Sequence, residues 1–220
     1  MNTSADAARC TPLVLGVLIS GSGTNLQAII DRIAEGQLPA KIAVVISNVA
    51  SAKGLDRARR AEIPTVVLDH KAFPSRAAFD EKMVETLRAH DVECVVLAGF
   101  MRIVTKVLLD AFPYRVINIH PSLLPAFPGV NAQAQAVAYG VRISGCTAHF
   151  VDAGTDTGPV IAQRSVDVFE RDDEESLRKR ILREEHVLLP AVLGWIARGW
   201  LEVDTSGGGR PRVRLNPSNP

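Results

Sequence analysis

The sequence predicts a single α/β domain: a mostly parallel, doubly wound sheet that ends in an antiparallel C-terminal part. The parallel sheet is indicated by apolar runs rich in β-branched residues, such as LVLGVLIS at 13–20 and KIAVVISN at 41–48, which alternate with helical patterns. Runs of this kind are typical of strands covered on both faces. The antiparallel part is indicated by SGCTAHFVD at 144–152, which alternates polar and apolar residues and precedes PVIAQRSVDV at 159–168.

The same patterns place each element along the chain. The predicted strands are 13–20, 41–48, 65–69, 92–100, 115–120, 144–152 and 159–168, and the predicted helices are 24–35, 53–61, 75–89 and 174–198. Between the last parallel strand and the antiparallel part, SLLPAFPGV at 122–130 is a Pro-rich connection. We expect a flexible extension at 1–12, one domain at 13–203 and a tail or weak hairpin at 204–220.

Composition and charge exclude several classes of protein. Of 220 residues, 47% are hydrophobic and 22% charged, the net charge is +1 and no Lys/Arg cluster occurs, so nucleic acid is not an expected partner. No apolar run reaches the ~20 residues of a membrane span, and MNTSADAARC lacks the apolar core of a signal peptide. We therefore expect a cytoplasmic protein without a membrane partner. The three cysteines are widely separated and no His, Cys and acidic trio has metal-ligand spacing, so neither disulfides nor a metal site is predicted.

The stretch SGSGTN at 20–25 lies where the first strand should turn into the first helix. Backbone N–H groups at a helix N-terminus attract anions, and small residues let a phosphate approach closely. The stretch matches neither GxGxxG nor the Walker A motif, because no lysine follows it. We therefore expect it to bind the phosphate monoester of a small metabolite; the alternative is a plain Ser/Thr-capped helix.

Three further polar groups are candidates for chemistry. Asn118 and His120 lie two residues apart at the end of a strand, so their side chains share one face. An amide beside an imidazole can stabilise an oxyanion and move a proton. Asp156 in DAGTDTGP would favour the imidazolium if its carboxylate reached His120. The alternatives are a packed histidine and an aspartate that only forms a turn, and for His149 both a core role and a site role stay open.

The C-terminal helix raises a question about one glutamate. Its apolar stripe consists of Leu177, Ile181, Leu188, Val192 and Trp195. Glu184 or Glu185 fills the gap in the middle of that stripe, where a carboxylate without a partner is unfavourable. The pattern leaves two interpretations: a helix-edge glutamate paired with Arg180 or Arg183, or a buried carboxylate with a binding role.

Four motifs occur in one order along the chain: SGSGTN, LAGFMRIV, NIHPSLLPAFPG and HFVDAGTDTGPVIAQ. Together they resemble the phosphoribosylglycinamide formyltransferases, folate-dependent enzymes of purine synthesis with a Rossmann-like fold, over residues 13–203. HPSLLP and DTGP are shared among folate-dependent formyltransferases, whereas SGSGTN is narrower. The resemblance implies transfer of a formyl group from the co-substrate 10-formyltetrahydrofolate to the amine of 5-phosphoribosylglycinamide, without a metal.

The resemblance also implies roles for individual residues. The implied catalytic residues are Asn118, His120 and Asp156. The implied acceptor-binding residues are Ser22, Gly23, Thr24 and Asn25 at the phosphate, Gly99 at the glycinamide and Glu185 at the ribose hydroxyls. The implied folate-binding residues are Arg76, Met101, Arg102, Ile103, Val104 and Asn118. Some relatives carry histidines where this chain has Asn131 and Gln133, so no role for histidine is carried over there.

Three other functions compete with this interpretation. A formyltetrahydrofolate deformylase would use the same donor, but we expect no room for a regulatory domain before Leu13. A methionyl-tRNA formyltransferase would need an added RNA-binding domain and a more basic surface. A phosphometabolite-binding protein without catalysis would not need the set Asn118, His120 and Asp156. The oligomeric state stays open between a monomer and a homodimer.

Overall fold

The structure, a computed structural model, describes residues 11–207 and 209–216. Its strands are β1 Leu13–Ile19, β2 Ala40–Ser47, β3 Thr65–Val67, β4 Cys94–Leu97, β5 Val116–His120, β6 Ile143–Phe150, β7 Val160–Asp167, β8 Leu201–Asp204 and β9 Arg212–Leu215. Its α-helices are α1 Thr24–Ala34, α2 Lys53–Arg60, α3 Arg76–Ala89, α4 Lys106–Ala111, α5 Ala132–Tyr139 and α6 Glu174–Ala197. The predicted extension at 1–12 lies outside the described residues except for its last two.

The seven-stranded sheet has the order β3-β2-β1-β4-β5-β6-β7. Strands β1 to β5 pair in parallel, whereas β6 is antiparallel to both β5 and β7. The predicted parallel sheet with an antiparallel C-terminal part is therefore confirmed. The chain runs outward from β1 to β2 and β3 and then returns to β4 on the other side of β1, so the strand order reverses between β1 and β4. Sheets of this kind bind ligands in the crevice at the carboxyl ends of the two strands where the order reverses.

Strand β1 shows why the apolar runs are continuous. Leu15 and Val17 belong to the core cluster that includes residues of α1 and α6, whereas Leu18 belongs to the cluster that includes residues of α3 and α4. All three side chains are 0% exposed. Successive side chains of a strand point to opposite faces, so a strand covered by helices on both sides must be apolar at every position.

The sequence patterns did not predict two short helices, α4 and α5. Helix α4 has six residues, too few to establish a helical period, and begins where the Thr105 side chain accepts from Val107 N. Helix α5, AQAQAVAY, follows Asn131 with a left-handed φ of 57° and follows the Pro-rich connection. Strand β4 is also shorter than predicted, four residues rather than nine, and Gly99 with its φ of 76° lies two residues beyond its end.

The C-terminal segment forms a hairpin whose first strand, β8, begins at Leu201, before the expected boundary at residue 204. Strands β8 and β9 pair antiparallel with each other, separate from the main sheet. Val203 and Val213 pack against the core cluster of α1 and α6, which ties the hairpin to the domain. No helix within residues 11–207 and 209–216 is long and apolar enough to span a bilayer.

Candidate active site

Two loops meet at the carboxyl ends of β1 and β4. Ser20 N donates to the carbonyl of Gly99 at 3.0 Å, and Met101 N donates to Ser20 Oγ at 2.8 Å. Ser20 Oγ in turn donates to Asn48 Oδ1, beyond the end of β2, at 2.6 Å. Adjacent parallel strands bring their carboxyl ends together, and these bonds join the predicted phosphate loop to the segment predicted to contact folate.

The backbone of the predicted phosphate loop is fixed from α2. Gly54 N donates to the carbonyl of Gly21 at 3.0 Å, and Arg57 Nε donates to the carbonyl of Ser22 at 2.9 Å. Gly23 has φ 68°, and a Cβ there would come within 2.5 Å of Gly54 Cα. Glycine is therefore required at position 23.

Helix α1 starts without a side-chain cap. Its N-cap is Gly23, and within residues 11–207 and 209–216 no side-chain hydrogen bond caps the helix. The plain Ser/Thr-capped helix is therefore wrong as an interpretation of SGSGTN. Backbone N–H groups of a first helical turn lack intrahelical partners, and a bound anion is one of the groups that can satisfy them.

Behind this loop lies a buried amide–carboxylate pair. Asn25 Nδ2 donates to Glu185 Oε2 at 2.7 Å, and the two residues are only 8% and 7% exposed. Burial raises the pKa of Glu185, and the Asn25 bond only partly opposes this. Among the described residues Asn25 Oδ1 has no hydrogen-bond partner although it is buried. Folded proteins rarely leave such an atom unpaired except at functional sites.

The structure distinguishes between the two interpretations of Glu184 and Glu185 in α6. Glu184 forms an ion pair with Arg164 on the surface, and Arg180 pairs with Asp172 rather than with a glutamate. Glu185 is the inward-facing residue and contacts the predicted phosphate loop. The helix-edge interpretation is therefore wrong for Glu185.

A second cluster forms where β5 and β6 pair. Asn118 lies directly opposite His149 in the antiparallel register, and Asn118 Nδ2 lies 3.1 Å from His149 Nε2. His149 Nδ1 lies 3.0 Å from the carbonyl of Phe150. A carbonyl can only accept, so Nδ1 carries the proton and Nε2 of the neutral ring accepts from the Asn118 amide. His149, whose role the sequence left open, therefore orients Asn118.

Asp156 joins the members of this cluster. Its Oδ2 lies 3.3 Å from His120 Nδ1 and accepts from Gly129 N at 2.8 Å. Its Oδ1 accepts from Asn118 Nδ2 at 3.4 Å and lies 3.6 Å from His149 Nε2. Asp156 is therefore more than a turn former, although its φ of 55° does place it in a turn.

The loop that carries Asp156 starts at a different place in the sheet from the other parts of the site. Because β6 is antiparallel to β5, its last residue, Phe150, lies beside Ile117, and Val151 N donates to the carbonyl of Val116. Residues 152–158 thus leave the sheet beside the start of β5 and not at its carboxyl end. Residues 20–25, 99–104 and 118–121, by contrast, lie at the carboxyl ends of β1, β4 and β5. The loop folds back over the sheet face to place Asp156 beside Asn118 and His120.

The surroundings lower the pKa values of both His120 and Asp156. Burial lowers the pKa of His120, while the Phe127 carbonyl, 2.9 Å from Nε2, and the Asp156 charge oppose that shift. Burial raises the pKa of Asp156, but the imidazoles of His149 and His120 and the bond from Gly129 N bring it below its ordinary value. Asp156 is thus ionised at neutral pH, and its charge favours a proton on His120.

The predicted folate-binding segment, residues 101–104, exposes apolar side chains. Met101 and Ile103 are 70% and 57% exposed, while Val104 is buried. Arg102 lies in this segment and Arg76 begins α3, and both act electrostatically on the buried carboxyl of Asp80. Exposed apolar groups beside guanidinium groups fit a flat ring system with an acidic tail. No group of three His, Cys, Asp or Glu side chains in the described part of the chain is arranged to hold a metal.

Several site residues could not be found from the sequence. Phe127 and Gly129 contribute backbone atoms, for which residue identity carries little signal. Gly54 and Arg57 matter because α2 packs against the predicted phosphate loop, a contact between distant parts of the chain. Asn131 precedes α5, and its side chain makes no cap bond to the helix.

Comparison with known proteins identifies the family. The model of the formyl transferase family matches residues 14–193. The phosphoribosylglycinamide formyltransferase of Escherichia coli is 41% identical over 91% of this chain and 95% of its own. The glycinamide ribonucleotide transformylase 1 structure from Symbiobacterium toebii is 50% identical, with a TM-score of 0.90 over 96% of this chain and 98% of that one.

A larger relative contains the same domain. The trifunctional purine biosynthetic protein adenosine-3 of Drosophila pseudoobscura pseudoobscura is 48% identical over 85% of this chain, which spans 14% of that protein. The similarity to it therefore concerns one portion of a longer polypeptide. With the family match over residues 14–193 and the identity to the Escherichia coli enzyme along most of both chains, this chain belongs to the formyl transferase family, alongside the phosphoribosylglycinamide formyltransferases.

Proposed function

We propose that this formyl transferase moves the formyl group of 10-formyltetrahydrofolate to the primary amine of 5-phosphoribosylglycinamide, a step of purine synthesis. One observation carries the chemistry: Asp156 lies within 3.4 Å of both Asn118 and His120. An amide donor, an imidazole and an ionised carboxylate in one cluster can stabilise an oxyanion and move a proton.

The acceptor fits the edge formed by β1, α1 and α6. Its phosphate is proposed to bind the backbone N–H groups of Ser22 to Asn25, where the helix dipole favours an anion. Its ribose hydroxyls are proposed to bind Glu185 and the unpaired Asn25 Oδ1. Gly99, bonded to the start of the same loop, borders the path to the amine.

The donor fits the segment from Gly99 to Val104. Met101 and Ile103 present apolar surface to its ring system, and Arg76 and Arg102 supply positive charge for its carboxylates. Bound there, the folate supplies an activated formyl carbon, and the residues of this chain orient it and manage the protons.

In the reaction, the amine nitrogen bonds to the formyl carbon and the bond from that carbon to the folate nitrogen breaks. The Asn118 amide and the His120 Nε2–H are proposed to stabilise the formyl oxygen as it gains negative charge. The Nε2–H now donates to the Phe127 carbonyl and must exchange that partner for the substrate oxygen. The amine loses one proton and the folate nitrogen gains one, either from His120 or through a water held by Asp156. Holding both substrates together supplies much of the acceleration.

Formyl transfer predicts that the donor is consumed only when the acceptor is present. We expect purified protein to release deformylated folate, followed by absorbance, only after 5-phosphoribosylglycinamide is added, with formylated acceptor appearing in equal amount. Unphosphorylated ribosylglycinamide, the matched control, should react poorly because it cannot use the α1 N-terminus. Rapid folate release without acceptor would instead identify a deformylase, and binding without turnover would identify a non-catalytic module.

Replacement of Glu185 by glutamine should raise KM for the acceptor by about tenfold, the scale of one charge-assisted hydrogen bond, and leave the donor KM unchanged. The substitution removes the carboxyl group but preserves the volume and the bond to Asn25. The control is Glu184→Gln, the neighbouring glutamate that pairs with Arg164 on the surface. A lowered melting temperature with both KM values unchanged would show that Glu185 serves the helix packing alone.

A cytoplasmic location and small-molecule substrates complete the proposal. Cys94 and Cys146 are both free thiols, and burial raises the pKa of each to about 12. Free, unreactive thiols suit a reducing compartment.

A further inference from the structure

Asp80 is a buried carboxylate that the proposed chemistry does not use. It lies on α3 and is 2% exposed. Its Oδ2 accepts from Thr105 N at 2.5 Å, although the two residues are 25 positions apart in the chain. Thr105 is the N-cap of α4 and directly follows residues 99–104, which we call the donor-side segment. Asp80 therefore fixes the point where that segment ends.

The surroundings of Asp80 are cationic. Burial raises its pKa, and the Thr105 bonds and the charges of Arg76 and Arg102 oppose that shift. Arg76 lies one turn before Asp80 on α3, and Arg102 belongs to the donor-side segment. One buried carboxylate thus interacts electrostatically with both guanidinium groups that are proposed to bind the donor.

The other end of the donor-side segment is held from β1 and β2. Met101 N donates to Ser20 Oγ at 2.8 Å, and Ser20 Oγ donates to Asn48 Oδ1 at 2.6 Å. Asn48 is 6% exposed, and its Nδ2 lies 3.3 Å from His70 Nδ1. Between these two anchors Met101 and Ile103 remain mostly exposed, so their presentation depends on a backbone that is held from outside the segment.

We propose that Asp80 is a positioning residue for the donor: together with the Ser20–Asn48 pair it holds the donor-side segment in its binding conformation, and its charge attracts Arg76 and Arg102. This inference rests on the proposed function for the identity of the donor. A carboxylate serves here where a neutral acceptor would not, because an amide oxygen could accept from Thr105 N but could not attract two guanidinium groups.

The test uses variants that separate the two tasks of Asp80. Asp80→Asn retains an acceptor for Thr105 N and removes the charge, Asp80→Ala removes both, and Asn48→Ala releases the other anchor. The matched control is Asp110→Asn, an exposed carboxylate on α4 that pairs with Lys106. For each folded variant we would measure KM for both substrates, kcat, and amide hydrogen exchange of the free protein over residues 98–105.

We expect Asp80→Asn to raise KM for the donor by about tenfold, the scale of a charge-assisted contact, while kcat and the acceptor KM stay within about twofold. In Asp80→Ala and Asn48→Ala, exchange over residues 98–105 should become faster while β1 stays protected. The Asp110→Asn control should match the wild type in every measurement.

Two results would overturn the proposal. One is an equal loss for donor and acceptor in Asp80→Asn, which would indicate a general packing role. The other is unchanged exchange over residues 98–105 in Asp80→Ala or, if that variant does not fold, in Asn48→Ala. If the wild type itself transfers no formyl group, the proposed function fails, and the exchange comparison still decides whether Asp80 holds the segment.

Discussion

Replacement of Asp156 by asparagine should lower kcat by about 10²–10⁴, the range attributed to a positioned acid–base group, with little change in either KM. In the structure the carboxylate accepts from Gly129 N at 2.8 Å and lies 3.3 Å from His120 Nδ1. An asparagine keeps the size but carries no charge. It therefore removes the charge that favours a proton on His120 but still fills the space of the carboxylate.

The pH dependence of that variant has a definite sign. Burial already lowers the pKa of His120, and the Asp156 charge opposes this. Without that charge the pKa should fall further, so the imidazole loses its proton at a lower pH. Because the protonated imidazole is the active form in the proposed mechanism, the alkaline limb of the kcat/KM profile should move to lower pH.

The control for Asp156 is Asp152→Asn, in the same loop. Asp152 Oδ1 accepts from Gly154 N and from Thr157 Oγ1, so this variant disturbs the loop without removing the charge beside His120. We expect a much smaller loss of kcat and an unshifted limb. Equal losses in the two variants would mean that Asp156 only shapes the loop.

Replacement of His120 by alanine should lower kcat by about 10³ or more, because an oxyanion donor and a proton source are lost together. The double variant with Asp156→Asn should be nearly as active as His120→Ala alone, because Asp156 acts through the imidazole. Residues that work as one unit lose activity in this non-additive way. The measurement is kcat for the two single variants and the double variant, with thermal melting to establish folding.

His90→Ala provides a remote control for loss of a histidine. His90 Nδ1 lies 2.8 Å from the carbonyl of Thr86 at the end of α3, away from the cluster, and its loss should leave kcat near that of the wild type.

Losses that multiply in the His120 and Asp156 double variant would contradict the mechanism, since they would show that the two residues act independently.

The sequence by itself determined the sheet and the residue types of the site. The runs of β1 and β2 are apolar at nearly every position because helices cover both faces of these strands. That pattern can be seen in the amino-acid sequence alone. The two-residue spacing of Asn118 and His120 likewise fixes a shared face. Gly23 is required for a local φ of 68°, so the loop motif carries its own structural reason.

Only the tertiary structure decided which side chains meet. Register between β5 and β6 places His149 against Asn118, and no local pattern encodes pairing between strands so far apart in the chain. The pairing of Asn25 with Glu185, 160 positions apart, arises from the packing of α6 against α1. Asp156 reaches His120 because its loop folds back over the sheet, and Asp80 reaches Thr105 because α3 packs on α4. Periodicity describes which face of an element is buried, whereas these contacts depend on how separate elements are arranged around a common core.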